Sequence, residues 1–213
     1  RFILTEKNKY QLINFTPRLI TNNEFNEKYE LWFYWKDKEE VIYLFSKKTT
    51  IPFFALYLHA CMKAINSVEN LKYRIIDDKI VIHEIIHASA TIFREDTTFG
   101  FTFINYSEDF TAFYKNFQIE KERVLNSNDL FAPVNTKDCI YCSALPWVPF
   151  SAHKEPVSGL SESVPMVAYG KFVEKGSKLM MPVSVKVNHA LVDGYHIGEF
   201  FKKFLLLLFK KCL

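Results

Sequence analysis

The chain has 213 residues, and its formal net charge at pH 7 is only +3. No basic cluster is interleaved with aromatic residues, so the composition argues against nucleic-acid binding. The longest apolar run, residues 204–209, is far shorter than the ~20 residues that span a bilayer, and no membrane role is expected. The chain has four cysteines, and in a chain of this size they are interpreted as reduced thiols and not as a disulfide framework. No signal peptide is recognised, and both observations favour a cytoplasmic protein.

Helices and strands are mixed in the first half of the chain. A strand is predicted over residues 29–35 and a short helix over 38–48. Pro52 fits the first turn of a second helix, whose apolar residues recur at helical spacing. Four strands are then predicted, over residues 71–76, 80–86, 88–93 and 97–104, the first two joined by a turn at 77–79 and the last two by polar residues 94–96.

The second half continues without a regular rhythm. Ser107 is predicted to cap a helix that begins with two acidic residues and ends near Asn126. The later elements are a strand at 140–145, a loop at 151–164, a hairpin of strands at 167–174 and 178–187, and a helix at 194–213. Because the regular βαβ order of a parallel sheet is missing, the chain is predicted to form one α+β domain over residues 1–213.

Residues 83–87 read HEIIH and match the H-E-x-x-H pattern of zinc proteases. That pattern binds zinc only on a helix, where residues four apart share a face. Here it continues a β-branched segment that follows a turn. On a strand His83 and His87 would lie ~13 Å apart, too far to share one metal ion, so no metal site is predicted.

Cys139 and Cys142 have the C-x-x-C spacing of zinc and redox sites. There is no second pair of cysteines to complete a zinc site, and the pair enters a predicted strand, whereas a redox pair opens a helix. Both thiols are therefore interpreted as incidental.

The strand around residues 183–187 alternates valines with polar residues and ends near His189. The same alternation places His189 on the apolar side, where a neutral imidazole could abstract a proton. A core histidine that only satisfies its ring nitrogens also explains the pattern, and from spacing alone it is the favoured reading. Spacing alone leaves both readings open.

Residues 188–194, NHALVDG, resemble the H-H-x-x-x-D-G signature of chloramphenicol acetyltransferases, which the catalytic domains of dihydrolipoamide acyltransferases share more loosely. Residues 143–148, SALPWV, resemble a second block of that family, and residues 77–82 and 93–99 follow in family order. The similarity spans roughly residues 51–206.

The resemblance implies a two-layer sandwich, with a mixed β-sheet and helices packed on one face. It also implies a homotrimer with active sites between subunits, where acetyl-CoA and an acceptor alcohol enter a tunnel from opposite ends. His189 would be the general base, oriented partly through its own main-chain carbonyl, and Ser143 would donate a hydrogen bond to the oxyanion. Asp193 would be structural, and Gly194 would permit the turn into the last helix.

The family resemblance also points to an acceptor pocket. Phe99 and Phe101 fall where the family lines it, although ordinary core packing would explain them as well, and Ala168 stands in place of a pocket threonine. The first histidine of the signature is Asn188 here, which leaves the base in place.

An arginine bonds the aspartate in the family, and Arg18 and Glu27 are competing alignments for its position. The loop at 152–157 is more polar than in the family. These departures spare the residues of acetyl transfer and affect the acceptor side, so the resemblance supports acetyl transfer more firmly than the choice of acceptor. Chloramphenicol acetylation, an antibiotic-resistance activity, is the leading expectation from the resemblance. Transfer to another small alcohol, or binding without catalysis, are its alternatives.

Overall fold

The computed structural model describes residues 10–12, 26–35, 46, 49–151, 162–175 and 178–209. Its helices are α1 (Phe53–Asn66), α2 (Phe110–Leu125) and α3 (Gly194–Phe209), with a 3-10 turn at Glu69–Lys72. Its strands are β1 (Tyr10–Leu12), β2 (Asn26–Trp35), β3 (Tyr73–Ile76), β4 (Lys79–His83), β5 (His87–Phe93), β6 (Phe99–Phe101), β7 (Cys139–Leu145), β8 (Met166–Gly170), β9 (Val173–Lys175) and β10 (Lys178–Asn188).

The strands form two sheets. The smaller has the order β1-β4-β3, and the larger has the order β2-β10-β8-β7-β5-β6, with β9 paired to β10. In the larger sheet β7 is parallel to both β5 and β8, whereas β10 is antiparallel to its neighbours. The sheet is therefore mixed, as the α+β prediction requires.

One face of the larger sheet is covered by helices. Val183, Val185 and Val187 of β10 are buried in the same apolar core as Phe200 and Phe204 of α3. The alternation predicted from the sequence places these valines under the helices because successive strand residues point to opposite faces. The other face of the sheet carries the polar residues and the cavity described below.

The turn at Asp77 and Asp78 is confirmed, but its flanking strands are shorter than predicted. Both aspartates have positive φ, 48° and 59°, as a two-residue hairpin turn of type I′ requires. Residues 69–72 form the 3-10 turn, so β3 begins only at Tyr73. The predicted strand 80–86 was too long, since β4 ends at His83 and the chain bends before β5.

Two other predictions were wrong in detail. Asp109, and not Ser107, caps α2, because its carboxylate accepts a hydrogen bond from Ala112 N at 2.8 Å. The strand predicted over 97–104 is reduced to Phe99–Phe101, because Thr97 lies in a turn with φ 71°.

The remaining differences concern the ends of elements. The strand predicted over 167–174 is two strands, β8 and β9, separated at residues 171 and 172. The helix predicted over 38–48, apart from residue 46, and most of the loop at 151–164 lie outside the described residues, as do residues 210–213 of the last helix. None of the described helices combines the length and the apolar character needed to cross a bilayer.

Candidate active site

The turn after β10 is tightly bonded. The carbonyl of Asn188 accepts hydrogen bonds from the main-chain N–H of Leu191 and of Val192, both at 3.0 Å. The side chain of Asn188 also accepts from Ala190 N at 3.0 Å and donates to the carbonyl of Glu162 at 3.1 Å. The hydrogen bonds of Asn188 thus stabilise the turn and join it to the segment before β8. This structural role does not require the histidine that the family signature has at this position.

His189 is half-buried in this turn, and its Nδ1 lies 3.2 Å from the carbonyl oxygen of Val192. A carbonyl oxygen can only accept, so Nδ1 carries the proton in this contact and Nε2 keeps a lone pair. The resemblance implied orientation by the histidine's own carbonyl. In this chain the carbonyl at 3.2 Å belongs to Val192, three residues further on, and the tautomer it favours is the one a base needs.

Asp193 initiates α3. Its carboxylate accepts from Tyr195 N at 3.0 Å, and its carbonyl accepts from Ile197 N at 3.2 Å, the pattern of a helix N-cap. The Nδ1 of His196 lies 3.1 Å from Asp193 N and 3.0 Å from the Asp193 carboxylate. A neutral His196 therefore accepts the Asp193 N–H, while a protonated one pairs with the carboxylate.

The two alignments proposed for the partner arginine are not resolved by these contacts. Arg18 lies outside the described residues, and Glu27 lies in β2 opposite Val187. Gly194 is the first residue of α3, where the turn into the helix was predicted.

Ser143 lines a cavity of about 620 Å³ on the face of the large sheet opposite the core valines of β10. Phe99 and Phe101 of β6 line the same cavity, so the structure brings three of the predicted residues together. Ala168 is paired with Ser143 across β7 and β8, but its side chain is only 2% exposed and is not among the described lining residues. A contact between Ala168 and an acceptor stays a prediction.

The aromatic wall of the cavity is fixed by ring contacts. Phe101 stacks on Phe131 with centroids 5.6 Å apart and an interplanar angle of 9°, and Phe99 meets Phe101 edge-on at 5.6 Å. The main chain is joined at the same place, since Phe101 N donates to the carbonyl of Leu130 at 2.7 Å. The ring wall therefore combines β6 with the loop after α2.

A buried arginine holds this wall from behind. The guanidinium of Arg94 donates to the carbonyls of Phe99 at 2.7 Å, Asp129 at 2.6 Å and Val124 at 2.9 Å. These carbonyls belong to β6, to the loop after α2 and to the end of α2. A Cβ added at Gly100 would lie 2.6 Å from the Arg94 guanidinium, so this position favours glycine.

Sequence reasoning missed several cavity residues. They are polar or aromatic side chains from β5, from β7 and from the loops: Ser89, Thr91, Phe131, Tyr141 and Glu162. For the strand residues the signal was present, because they alternate with buried residues of the core face, Ala88 and Ala90 in β5 and Ile140 and Cys142 in β7. For Phe131 and Glu162, which lie in loops, no periodic pattern could have shown the direction of the side chain.

Ser143 and His189, the two proposed catalytic residues, lie far apart within one copy of the chain. Ser143 pairs with Ala168, and Ala168 pairs with Ser184 of β10, so these three form one row across the sheet. Asn188 lies four residues beyond Ser184, which places it roughly 16 Å from Ser143 at ~3.3 Å per residue and ~4.8 Å between strands. His189 follows Asn188 and is not among the described residues that line the cavity.

The two metal-like motifs are confirmed as non-helical. His83 ends β4 in the small sheet and His87 begins β5 in the large sheet, so the H-E-x-x-H pattern forms no helix face. Cys139 and Cys142 lie in β7, and burial raises the pKa of the Cys139 thiol to about 12. Within the described ranges no cluster of His, Cys, Asp and Glu could hold a metal ion.

Comparison with known proteins identifies the fold and the family. Residues 15–205 match the family model described as chloramphenicol acetyltransferase. The chain belongs to this family. It is therefore an acyltransferase, and the sequence resemblance at residues 143–148 and 188–194 is confirmed at the level of the family.

Relatives in the family are distant. Chloramphenicol acetyltransferase 3 of Escherichia coli is 29% identical over 154 residues, covering 71% of this chain and 72% of that protein. Among solved structures, a chloramphenicol acetyltransferase covers 86% of this chain and 90% of its own, with a TM-score of 0.75 and 23% identity. A probable dihydrolipoamide acetyltransferase from Listeria monocytogenes has a TM-score of 0.62 and 13% identity, covering 86% and 84%. The fold expected from the sequence, a mixed sheet with helices on one face, is confirmed.

Proposed function

We propose that this chain is a CoA-dependent O-acetyltransferase that transfers the acetyl group of acetyl-CoA to a hydroxyl of chloramphenicol, with His189 as general base. The observation that carries the proposal is the contact of His189 Nδ1 with the Val192 carbonyl at 3.2 Å. Of the two neutral tautomers it favours the one with the proton on Nδ1 and the lone pair on Nε2, the form that can take a proton from an alcohol.

The reaction needs no covalent intermediate on the protein. Nε2 of His189 takes the hydroxyl proton while the hydroxyl oxygen attacks the thioester carbon, and a tetrahedral oxyanion forms. Ser143 donates a hydrogen bond to that oxyanion, a contact worth ~3 kcal/mol in the barrier. The intermediate collapses with loss of the CoA thiolate, which takes the proton from the imidazolium. Both substrates are bound at once in a ternary complex.

This assignment requires two copies of the chain. Both groups must lie ~3 Å from the reacting atoms, but His189 follows a residue roughly 16 Å from Ser143 in the same chain. In a homotrimer with sites between subunits, His189 of one subunit faces the cavity of its neighbour, which supplies Ser143. The trimer is part of the proposal and is tested with it.

Exposed apolar side chains around the cavity support this assembly. Phe93 and Trp147 pack edge-on at 5.2 Å yet are 51% and 61% exposed, and Phe131 is 57% exposed. Monomers rarely leave such groups together in water, so a second copy is the expected cover. Light scattering should give the mass of three chains, and a monomer would contradict the proposal.

The proposed activity is tested by following CoA release from acetyl-CoA with chloramphenicol. The wild type should turn over, whereas His189→Ala should lose at least ~10³-fold in kcat with an unchanged unfolding curve. Turnover that survives the substitution would overturn the mechanism. No turnover by the wild type with any alcohol would favour a protein that binds but does not catalyse.

A different acceptor alcohol is the second candidate. The cavity includes Ser89, Thr91, Tyr141 and Glu162 beside its aromatic rings, which provide hydrogen-bonding groups beyond those that an apolar pocket offers. A panel of hydroxylated acceptors with the same thiol readout distinguishes this candidate from chloramphenicol.

If chloramphenicol is the substrate, expression in the cytoplasm of a susceptible bacterium should raise its resistance to the drug.

A further inference from the structure

Glu162 gives the cavity its charge. It is the one charged side chain among the described residues that line the cavity. Its carboxylate accepts a hydrogen bond from Val164 N at 3.0 Å, and its main-chain carbonyl accepts from Asn188 at 3.1 Å. The residue is thus held in place at both its main chain and its side chain.

No described cation neutralises this carboxylate. The ion pairs among described residues join Lys63 to Glu108, Arg123 to Glu120, His196 to Asp193 and Lys202 to Glu199, and none includes Glu162. Arg74 is close enough to feel its charge. However, Arg74 is fully buried, and its guanidinium donates to the carbonyls of Leu71, Tyr73, Lys137 and Cys139.

The groups beside Glu162 favour a cation over a neutral ligand. Tyr141, Phe99 and Phe101 line the same cavity, and aromatic rings attract cations through their negative faces. Burial, and to a smaller extent the charges of Cys139 and Glu162, raise the pKa of Tyr141 to about 12, so its hydroxyl stays neutral. A carboxylate beside aromatic rings in a half-enclosed cavity is a combination that binds ammonium groups.

We propose that the second candidate acceptor, the alcohol other than chloramphenicol, is an amino alcohol, whose ammonium group is bound by Glu162 while its hydroxyl is acetylated. The inference rests on the proposed function for the reaction, but the charge preference can be measured without turnover. A protonated amine has no lone pair, so it does not compete with the hydroxyl for the acetyl group. Glu162 then determines which alcohols enter, and His189 and Ser143 act on them.

Two matched probes test the charge preference by calorimetry in the absence of acetyl-CoA. One is 2-amino-1-(4-nitrophenyl)propane-1,3-diol, which is cationic at neutral pH, and the other is its neutral N-acetyl derivative. The wild type should bind the amine about tenfold more tightly than the amide. Equal binding, tighter binding of the amide, or no binding of the amine would overturn the proposal.

The substitution Glu162→Gln removes the charge and keeps an oxygen that can accept from Val164 N. It should abolish the preference for the amine, while the matched control Glu122→Gln, an exposed residue on α2, should retain it. A preference that persists in Glu162→Gln would overturn the assignment of Glu162.

If the Gln variant does not fold, salt provides the second measurement. The preference of the wild type should shrink several-fold between about 50 mM and about 500 mM salt, because screening weakens a charge contact. If the preference for the amine does not change with salt, the proposed charge contact with Glu162 would be contradicted. If the wild type prefers the amine but releases no CoA whichever acceptor is added, the proposed function would be overturned while the charge preference would remain.

Discussion

Ser143 lies in β7, and His189 follows β10, which is two strands away in the same sheet. His189 lies five residues beyond Ser184, the residue of β10 in the row of Ser143. The two residues that carry the proposed chemistry therefore lie far apart in a single chain. Each is nevertheless prepared for its role, with Ser143 facing a cavity and His189 bonded at Nδ1 to a carbonyl.

Ser143→Ala should lower kcat ~100-fold and leave the KM for both substrates nearly unchanged, because an oxyanion donor acts mainly in the transition state. Steady-state kinetics by thiol release measures this. Ser184→Ala is the matched control, since Ser184 lies in the same row of the sheet but outside the described lining of the cavity. Equal losses in both variants would contradict the role of Ser143.

Asn188→Ala should reduce kcat ~10-fold and the free energy of unfolding by ~1–2 kcal/mol, because it removes the bonds to Ala190 N and to the Glu162 carbonyl. Asn188→Asp keeps the acceptor for Ala190 N and loses only the donor, so its loss of stability should be smaller. Urea unfolding and turnover measure the two effects. If both variants match the wild type, the turn does not depend on this side chain.

Arg94→Met should raise the KM for the acceptor by ~10-fold or more and leave the KM for acetyl-CoA unchanged, because three carbonyls that hold the aromatic wall lose their donors. Gly100→Ala presses on the same guanidinium and should act in the same direction. Separate titrations of the two substrates provide the measurement. Equal increases in both KM values would show a general loss of structure instead.

Acid should destabilise the protein partly through His83. Burial, and next the charge of Arg74, lower the pKa of His83 from 6.5 to about 4. The unfolded chain therefore binds more protons between these two values, and the free energy of unfolding falls as the pH falls through this range. The loss between pH 7.5 and pH 5 should be ~2 kcal/mol.

Urea unfolding of the wild type and of His83→Phe at the two pH values checks this contribution. The variant should lose ~2 kcal/mol less than the wild type on acidification, because a phenyl ring cannot titrate. Equal losses in the two proteins would show that the folded protein accommodates a protonated His83.

Much of the fold could be predicted from the sequence, because it depends on local patterns. The alternating valines of β10 predicted both the strand and its buried face, and Asp77 and Asp78 predicted the turn. The predictions that were wrong concerned the ends of elements. Whether Ser107 or Asp109 caps α2 depends on which oxygen reaches an N–H group, and both residue types are good caps.

The candidate site could be predicted only in part. Ser143, Phe99 and Phe101 were placed by resemblance, and the structure brings them to one cavity. Glu162 and Arg94 were missed, because one lies in a loop without a period and the other reads as a polar turn residue in the sequence. The separation of Ser143 and His189 depends on the order of the strands, which no local pattern in the chain specifies.

Co-expression of two inactive variants tests most directly whether the active site is shared between two copies of the chain. His189→Ala supplies an intact Ser143, and Ser143→Ala supplies an intact His189, so mixed trimers contain sites with both residues. Random assembly should restore about a quarter of the wild-type activity per site, because one neighbouring pair in four has the required order. Activity no greater than the sum of the two separate variants would contradict a site shared between subunits.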